Sequence, residues 1–367
     1  MTTPHFHPLQ LTDVRAETAD AVSLGFAVPP DLRGTYRFRA GQFVTLRAQV
    51  GAEDLRRSYS ICSTPQDYEA TGSFRVALKR VAGGRFSTWA HAALRAHDTL
   101  DVLPPDGRFT TALDAAHRKH YLGIAAGSGI TPLLSLIATT LQAEPHSRYT
   151  LIYGNRDVAS ILFCDALEDL KDRYLERLTL HHVLSRQHQE IALFNGRIDT
   201  DKLQAFLGTL VPVATVDEAF ICGPAGMLEA AEQALLQAGL PHAHVHVERF
   251  GTPVPTDAAA APVAPPADEA TAAAGSTPLT VILDGKRHAL SLPPGARVLD
   301  TALAAGLDLP YSCKSGVCCT CRAKVVEGAV HMERNFTLEA WEIERGFALT
   351  CQARAASAHL VVSYDER

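Results

Sequence analysis

Four cysteines in the C-terminal part of the chain constrain its fold more than any other feature. Cys313, Cys318 and Cys321 form a C-x4-C-x2-C pattern, and Cys351 lies much further along the chain. This spacing is typical of the ligands of a plant-type [2Fe–2S] cluster, for which one loop supplies three thiolates and a distant segment supplies the fourth. The pattern therefore predicts an iron–sulfur centre and, with it, the transfer of single electrons.

Two other residues of this loop bear on the interpretation. Gly316 has no Cβ, which allows backbone N–H groups to turn toward the sulfur atoms. Cys319 fits neither spacing, and we do not expect it to be a ligand. A structural zinc ion is the alternative, because Cys318 and Cys321 have the spacing of a zinc knuckle. The other two cysteines lack the spacing of a second knuckle, which favours the iron–sulfur interpretation.

Length, charge and cysteine usage limit the class of protein. A chain of 367 residues is expected to form two or three domains. Its formal net charge of −6 gives no basic surface for nucleic acid or an anionic membrane. The N-terminus lacks a signal peptide pattern, and the uncharged segment 121–143 is interrupted by glycines and Pro132, so we expect no membrane span. Eight cysteines without a disulfide framework suit a reducing cytoplasm.

Residues 5–114 carry short alternating strands separated by glycine and proline, which predicts a small antiparallel β-barrel. Within them, Arg57 and Tyr59 share one face of a strand. The guanidinium group can hold a pyrophosphate, and the phenol ring can lie along the isoalloxazine ring of a flavin. Taken alone, the string Arg57-Ser58-Tyr59-Ser60 is weak and better explained by a half-exposed edge strand.

A second flavin-site signal follows further along the barrel. The glycine pair Gly83-Gly84 precedes a predicted helix with Ser87 or Thr88 as its N-cap. The N-terminus of such a helix suits the same pyrophosphate, although it is also found in ordinary capped helices. A turn at Pro105–Phe109 then leads into a closing strand, and the order of all three features favours a flavin-binding domain. Its expected cofactor-binding residues are Arg57, Ser58, Tyr59, Ser60, Lys79, Val81, Gly84, Phe86 and Ser87.

Residues 115–250 alternate between strands and helices, which predicts an α/β domain with a parallel sheet. Gly127-x-Gly129-x-x-Pro132 stands between a strand and a helix and is similar to a dinucleotide-binding turn, without its third glycine. Thr131 is the predicted N-cap and Pro132 the predicted first helical residue.

Arginines follow two buried strands of this domain, at Arg156 and at Ser185-Arg186. Ligands of open parallel sheets bind beyond the carboxyl ends of the strands, so both arginines are placed to meet a phosphate. The pattern favours NADPH over NADH, because an acidic residue would suit a bare ribose 2′-hydroxyl. Solvated loop arginines are the alternative for either residue taken singly.

The last strands of the domain supply the expected nicotinamide site. Cys222, at a strand end before Gly223-Pro224, would allow the ring to approach closely, and a buried structural cysteine is the alternative. Glu248 and Phe250 add a polar and an aromatic group. The full set of expected nucleotide-binding residues is Gly127, Gly129, Thr131, Pro132, Asn155, Arg156, Ser185, Arg186, Gly223, Pro224 and Phe250.

The rest of the chain is predicted to be a linker and a third domain. Residues 251–278 are almost wholly Ala, Pro, Thr and Val, with little to bury, which indicates a linker. Residues 279–367 carry the cysteines and are expected to form an α+β domain of the β-grasp type. It should open with a hairpin at Asp284-Gly285 and contain a helix that ends at Gly306.

The ordered motifs resemble the ferredoxin–NADP⁺ reductase superfamily with a fused C-terminal ferredoxin domain. More closely, several segments look like the reductase subunits of bacterial phenylacetyl-CoA epoxidases (ring-1,2-phenylacetyl-CoA oxygenases). These segments are Tyr36–Gln42, Ile124–Pro132, Leu151–Arg156, Asn195–Asp199 and Asp217–Ala225. The resemblance covers essentially the whole chain except the linker.

The resemblance implies an NADPH-dependent oxidoreductase of phenylacetate catabolism. Hydride would pass from NADPH to FAD, and single electrons would leave through the [2Fe–2S] cluster to a separate di-iron oxygenase. It implies that Ser60, Cys222 and Glu248 are the catalytic residues. In detail, Arg57 would hold the FAD pyrophosphate, Tyr59 and Ser60 would lie beside the flavin, Cys222 and Glu248 would flank the nicotinamide, and Arg156, Ser185 and Arg186 would meet the 2′-phosphate.

Three alternatives remain open at this level. The chain could serve another multicomponent oxygenase or a hybrid-cluster protein by the same chemistry. It could be an iron–sulfur redox sensor that no longer oxidises pyridine nucleotides, although the intact motifs at Arg57–Ser60 and Cys222–Pro224 speak against this. The flavin could be FMN in place of FAD.

Overall fold

The computed structural model describes residues 3–251 and 276–366. Most of the predicted linker therefore lies outside the described residues. The described chain forms two compact units. One spans Phe6–Phe250, and the other contains residues 3–5, 251 and 276–366.

The first part of the larger unit is a six-stranded antiparallel sheet, called the barrel below. Its strands are β1 (His7–Thr18), β2 (Ala21–Ala27), β3 (Phe43–Val50), β4 (Glu53–Ser60), β5 (Ser73–Lys79) and β6 (Thr99–Val102), with helices α1 (Pro65–Thr71) and α2 (Arg85–Ala93) beside them. The strand order is β4-β3-β6-β1-β2-β5. An antiparallel bridge between Ile61 and Val76 joins the two outer strands, so the sheet closes as predicted.

The alternating pattern of the sequence places the core of the barrel. In β1, Leu9 and Leu11 are fully buried while Pro8, Gln10 and Thr12 are exposed, as expected when successive side chains point to opposite faces. The hydroxyl of the buried Tyr36 donates a hydrogen bond of 2.6 Å to the carbonyl oxygen of Val102, so burial leaves this polar group satisfied.

The second part of the larger unit is a five-stranded sheet in which all neighbouring strands are parallel. Its strands are β7 (His120–Ala126), β8 (Arg148–Asn155), β9 (Leu178–Leu184), β10 (Glu218–Cys222) and β11 (Val245–Glu248), and its helices are α3 (Ile130–Ala143), α4 (Cys164–Arg173), α5 (Thr200–Thr209) and α6 (Ala225–Gln237). Two separate apolar clusters pack around this sheet. Its central strands are therefore apolar almost throughout.

The strand order of the parallel sheet creates a crevice. The order is β11-β10-β7-β8-β9, so the chain runs from β7 outward through β8 to β9 and then returns to the other side of β7. The direction reverses between β7 and β10. Open parallel sheets bind ligands at such a reversal, beyond the carboxyl ends of the strands.

Two predicted helix starts are wrong by two to four residues. Helix α2 begins at Arg85 with Gly84 as its N-cap, so neither Ser87 nor Thr88 is the cap. Helix α3 begins at Ile130, after a 3-10 turn over Gly127–Gly129, so Thr131 is not the N-cap and Pro132 is not the first helical residue. In both cases a glycine from the preceding turn occupies the N-cap position.

The smaller unit contains a five-stranded mixed sheet with the order β13-β12-β18-β14-β16 and a two-stranded sheet of β15 and β17. The elements are β12 (Thr277–Leu283), β13 (Lys286–Leu292), α7 (Val298–Ala304), β14 (Arg322–Glu327), β15 (Val330–Met332), α8 (Ala340–Glu344), β16 (Phe347–Leu349), β17 (Ala353–Ala355) and β18 (Leu360–Ser363). Strands β12 and β18 pair in parallel, and the other neighbours pair antiparallel. The α+β architecture is confirmed.

Local turn chemistry in the smaller unit follows the sequence. Asp284 and Gly285 form the two-residue hairpin turn, with φ of +51° and +72°. Gly306 follows α7 with φ of +83°, in the left-handed region typical of a helix stop. Over the described residues, 3–251 and 276–366, none of the helices has the length and apolar character that a membrane crossing requires.

The close approach of the barrel chain at Gly41 generates a stability prediction. Gly41 has φ of +91°, and a Cβ atom there would lie 1.8 Å from the carbonyl oxygen of Phe109. We expect Gly41→Ala to lower the free energy of unfolding by about 2–3 kcal/mol, because the backbone oxygen could move aside only if the surrounding chain shifted. Gly34→Ala is the matched control, since nothing lies within 4 Å of that position. Calorimetry should show a Tm loss of more than about 5 °C for the first variant alone, and equal Tm values would contradict the steric argument.

Candidate cofactor and iron–sulfur sites

The cluster loop, Cys313–Cys321, lies between α7 and β14, and Cys351 follows β16. Backbone N–H groups of this loop are aimed at sulfur. The N–H groups of Ser315 and Cys318 each donate to the sulfur of Cys313 at 3.4 Å, and the N–H of Cys313 lies 3.5 Å from the sulfur of Cys318. Such donors stabilise a thiolate over a thiol.

The four predicted ligands lie in two pairs, Cys313 with Cys318 and Cys321 with Cys351. Hydrogen bonding from Cys318 lowers the pKa of Cys313 to about 4. Hydrogen bonding from Cys321 likewise lowers the pKa of Cys351. Among the described residues, no group of three or more His, Cys, Asp and Glu side chains surrounds a position for a single metal ion. Two adjacent thiol pairs fit the two irons of a [2Fe–2S] cluster.

Gly316 and Gln352 hold the shape of the cluster loop. Gly316 has φ of +81°, and a Cβ atom there would lie 3.0 Å from the carbonyl oxygen of Arg334. The buried amide of Gln352 donates to the carbonyl oxygen of Lys314 at 3.0 Å and lies 3.6 Å from the sulfur of Cys351. The sequence reasoning missed Gln352, although its position next to Cys351 was a signal.

On the flavin side, β4 places the predicted residues at one end of the barrel. Arg57 is exposed, and its guanidinium donates to the carbonyl oxygen of Arg56 at 2.7 Å. The Tyr59 ring packs against Phe86, with ring centroids 5.7 Å apart, and burial raises the pKa of Tyr59, so its hydroxyl stays neutral. Ser58 bonds to Thr45, and Ser60 is buried at the strand end.

The glycine turn before α2 approaches the same end of the barrel. Phe86 joins this turn to the Tyr59 ring. A Cβ atom on Gly84 would lie 2.7 Å from the hydroxyl oxygen of Ser87 and 3.0 Å from the carbonyl oxygen of Val81, so a side chain at this position would crowd the turn. Within the described part of the chain no side chain caps α2, which leaves its first N–H groups directed outward for an anion. These residues fit a flavin pyrophosphate.

The crevice of the parallel sheet depends on a backbone contact between two turns. A Cβ atom on Gly129 would lie 2.0 Å from the carbonyl oxygen of Cys222. Gly127 has φ of +52°, and the amino group of Lys79 lies 3.7 Å from where its Cβ would be. Thr131 and Pro132 are buried in α3 behind this turn. The glycines thus leave the crevice open to a dinucleotide and bring a barrel lysine to its edge.

The structure places Cys222 beside Glu248, because the two residues are register partners on β10 and β11. Cys222 is fully buried, and burial holds the pKa of its thiol well above the usual value. Burial also raises the pKa of Glu248 to about 8, against an opposing effect of Arg108. Gly223 lies close to Ala126, while Pro224 and Phe250 are exposed at the mouth of the crevice.

The two predicted phosphate arginines lie side by side. The N–H of Arg186 donates to the carbonyl oxygen of Arg156 at 2.7 Å, and the N–H of Ser185 donates to that of Asn155 at 2.9 Å. Both arginine side chains are exposed, and Asn155 is buried. The Arg156 guanidinium also bonds to Asp20, 136 residues earlier, which no local pattern could have revealed.

Three family models match the chain in the order of its domains. The oxidoreductase FAD-binding domain matches residues 8–111, the oxidoreductase NAD-binding domain matches 124–233, and the 2Fe-2S iron-sulfur cluster binding domain matches 281–356. The predicted cofactor classes are confirmed, including the iron–sulfur interpretation of the cysteines.

The chain is 44% identical over 363 residues to one subunit of the 1,2-phenylacetyl-CoA epoxidase of Escherichia coli (strain K12), with 99% of this chain and 98% of that protein covered. The chain belongs to the family of FAD- and [2Fe–2S]-containing reductase components of oxygenases. This reductase is also 37% identical to the ferredoxin reductase component of 3-ketosteroid-9-alpha-monooxygenase of Rhodococcus rhodochrous, over 97% of this chain and 96% of that protein.

Solved structures show the same fold at lower identity. Phthalate dioxygenase reductase matches with a TM-score of 0.58 and 23% identity over 98% of both chains. An intact type IV self-sufficient cytochrome P450 monooxygenase matches with a TM-score of 0.67 and 22% identity, over 97% of this chain and 41% of that one. The order of an antiparallel flavin domain, a parallel nucleotide domain and a ferredoxin domain is thereby confirmed.

The ligand assignment in the cluster loop can be tested with neighbouring cysteines. Cys318→Ser removes a predicted ligand, and we expect most of the iron, sulfide and visible absorption of the cluster to be lost. Cys319→Ser is the matched control and should retain both irons and both sulfides. Iron and sulfide analysis with electron paramagnetic resonance of the reduced protein measures this. Loss of the cluster from the Cys319 variant alone would reverse the assignment.

The raised pKa of Glu248 predicts a pH dependence of stability. Between its usual pKa of 4.5 and the folded value of about 8, the folded protein retains a proton that the unfolded chain has released. Stability from this residue therefore falls as pH rises through that range. Raising the pH from 6 to 8.5 should lower the Tm of both proteins. We expect the decrease to be about 2–5 °C smaller for Glu248→Gln than for the wild type. Parallel Tm curves for the two proteins would show that Glu248 does not retain the proton.

Proposed function

We propose that this reductase takes hydride from NADPH and passes single electrons to the di-iron oxygenase component of a phenylacetyl-CoA epoxidase complex. In this proposal it serves phenylacetate degradation in the cytoplasm. The observation that carries the proposal is the 44% identity to a component of a 1,2-phenylacetyl-CoA epoxidase over nearly the full length of both proteins. When bound, FAD and the [2Fe–2S] cluster would allow the two electrons of a hydride to be delivered one at a time.

The proposal divides the chain into a flavin domain at residues 5–114, a nucleotide domain at 115–250, a linker at 251–278 and a ferredoxin domain at 279–367. In the first, Arg57 and the N-terminus of α2 hold the flavin pyrophosphate, since both lie at the end of the barrel that carries the Tyr59 ring. In the last, the two cysteine pairs hold the cluster.

The nicotinamide would lie against Cys222 and Glu248 at the crevice. The fully buried thiol of Cys222 presents a small side chain, which permits close approach of a flat ring. Since the pKa of Glu248 is about 8, its carboxyl group is neutral at neutral pH and can donate a hydrogen bond to the nucleotide. Ser60, buried at the end of β4, is assigned to the flavin side of the transfer.

Arg156 and Arg186 support the preference for NADPH. They are exposed, adjacent and located at the carboxyl ends of β8 and β9, where ligands of parallel sheets bind. Two guanidinium groups can hold a phosphate through several charge-assisted hydrogen bonds, which a ribose hydroxyl would not match.

A second candidate acceptor is the oxygenase of a different system. Reductase components of 3-ketosteroid-9-alpha-monooxygenase are 37–39% identical to this chain over almost its full length. The chemistry of hydride uptake would be the same, and only the partner of the ferredoxin domain would differ.

Reconstitution distinguishes the two acceptors. The purified reductase, loaded with flavin and cluster, is combined with the oxygenase component of either system, and substrate-dependent NADPH oxidation is measured together with product. We expect coupled turnover with the phenylacetyl-CoA epoxidase oxygenase, at least about tenfold faster than with the steroid oxygenase, and a clear preference for NADPH over NADH. If only the steroid oxygenase supports turnover, it replaces the phenylacetyl-CoA epoxidase oxygenase as the proposed acceptor. If NADPH does not reduce the flavin anaerobically, both proposed functions are contradicted.

A further inference from the structure

Asp20 contacts Lys79, an expected flavin-binding residue, and Arg156, which the proposed function assigns to the 2′-phosphate. It lies in the turn between β1 and β2, at the edge of the barrel. One carboxylate oxygen accepts a hydrogen bond of 2.8 Å from the Arg156 guanidinium, which belongs to the parallel sheet. The other lies 3.7 Å from the Lys79 amino group and accepts from the Thr18 hydroxyl at 3.0 Å. A barrel carboxylate thus reaches the proposed 2′-phosphate site.

The carboxylate of Asp20 is ionised and partly shielded from water. Its side chain is 21% exposed, against 46% for Arg156. Burial alone would raise the pKa of Asp20, but the Thr18 hydroxyl and the charges of Lys79 and Arg156 hold it below the usual value. Asp20 is therefore a negative charge at neutral pH, in contact with the residue that is expected to bind a negative phosphate.

Lys79 shows where this group of charges lies. Its amino group is 3.7 Å from the Cβ position of Gly127, in the first turn of the dinucleotide crevice. Asp20, Lys79 and Arg156 therefore follow the edge of the crevice from the turn after β7 to the end of β8. This is the edge at which parallel sheets bind nucleotides.

We propose that Asp20 is a specificity-determining residue for the pyridine nucleotide, which competes with the 2′-phosphate for Arg156. The proposal rests on the proposed function, in which Arg156 binds that phosphate. A nucleotide with a 2′-phosphate has to take Arg156 from Asp20, whereas a nucleotide with a bare ribose does not. Asp20 therefore reduces the advantage of NADPH over NADH and keeps Arg156 in place while the crevice is free of NADPH.

The size of the effect follows from the exposure of the ion pair. A half-exposed arginine–carboxylate pair is weak because water and salt screen it, and removing it should change a dissociation constant by about two- to fivefold. The change is confined to ligands that carry the 2′-phosphate. A residue that only stabilised the fold would change the binding of both kinds of nucleotide or lower Tm.

The test compares two fragments of the coenzymes that differ by one phosphate. Dissociation constants of adenosine 2′,5′-bisphosphate and of adenosine 5′-monophosphate are measured by calorimetry on the full-length holoprotein at one ionic strength. We expect Asp20→Asn to lower the dissociation constant of the bisphosphate about two- to fivefold relative to that of the monophosphate. Asp20→Glu should retain the wild-type ratio, and Glu69→Gln, which removes the partner of the barrel residue Arg37, is the control for loss of a surface carboxylate.

Double variants separate this inference from the proposed function. Arg156→Ala and Arg186→Ala should each weaken the binding of the bisphosphate. The gain in bisphosphate affinity caused by Asp20→Asn should disappear in the Arg156→Ala background but persist in the Arg186→Ala background. If Arg156→Ala leaves bisphosphate binding unchanged, the assignment of the phosphate site fails and this inference fails with it. If Arg156→Ala weakens binding but Asp20→Asn leaves the ratio unchanged or lowers it, this inference alone is overturned. Should Asp20→Asn fold poorly, Asp20→Ser replaces it with the same expected ratio.

Discussion

The contact between Gly129 and the carbonyl group of Cys222 is the constraint on which the nucleotide site depends. A side chain at position 129 would lie within 2.0 Å of that oxygen, so only glycine allows the turns after β7 and β10 to meet. Their meeting point coincides with the reversal of strand order, where a parallel sheet leaves an open crevice. The register of β10 and β11 then brings Glu248 beside Cys222 at the same point. Backbone packing, and not side-chain chemistry, thus decides where the reactive groups are found.

The two cofactor classes in the larger unit place different demands on the chain. A flavin needs a flat wall and an anion site, and in the proposed function the barrel would supply them with the Tyr59–Phe86 contact and the N-terminus of α2. A pyridine nucleotide has to enter and leave, and its predicted site combines the buried Cys222 with the exposed Arg156 and Arg186 at strand ends. The iron–sulfur site is different again, because backbone N–H groups of the cluster loop donate to the sulfur atoms of Cys313 and Cys318, while Cys351 lies outside that loop.

Electrostatic contacts tie the barrel to the parallel sheet at the crevice. Lys79 and Asp20 belong to the barrel, and Arg156 belongs to the sheet. In a partly shielded setting, each charge alone would lose hydration without compensation, and the group of three offsets that cost. If Arg156 binds the 2′-phosphate as proposed, the phosphate and Asp20 would both attract it. A charge network of this kind can serve packing and specificity at once.

The sequence by itself determined the features that depend on near neighbours: the cysteine spacing, the Asp284-Gly285 turn, the alternating barrel strands and the glycine turns of the nucleotide domain. It placed the starts of α2 and α3 too late, because it assigned the caps to Ser87 or Thr88 and to Thr131 where glycines lead into the helices. Only the tertiary structure decided that Cys222 pairs with Glu248 and that Asp20 reaches Arg156. Strand register and contacts across 136 residues arise from the packing of whole elements, and no local spacing encodes them.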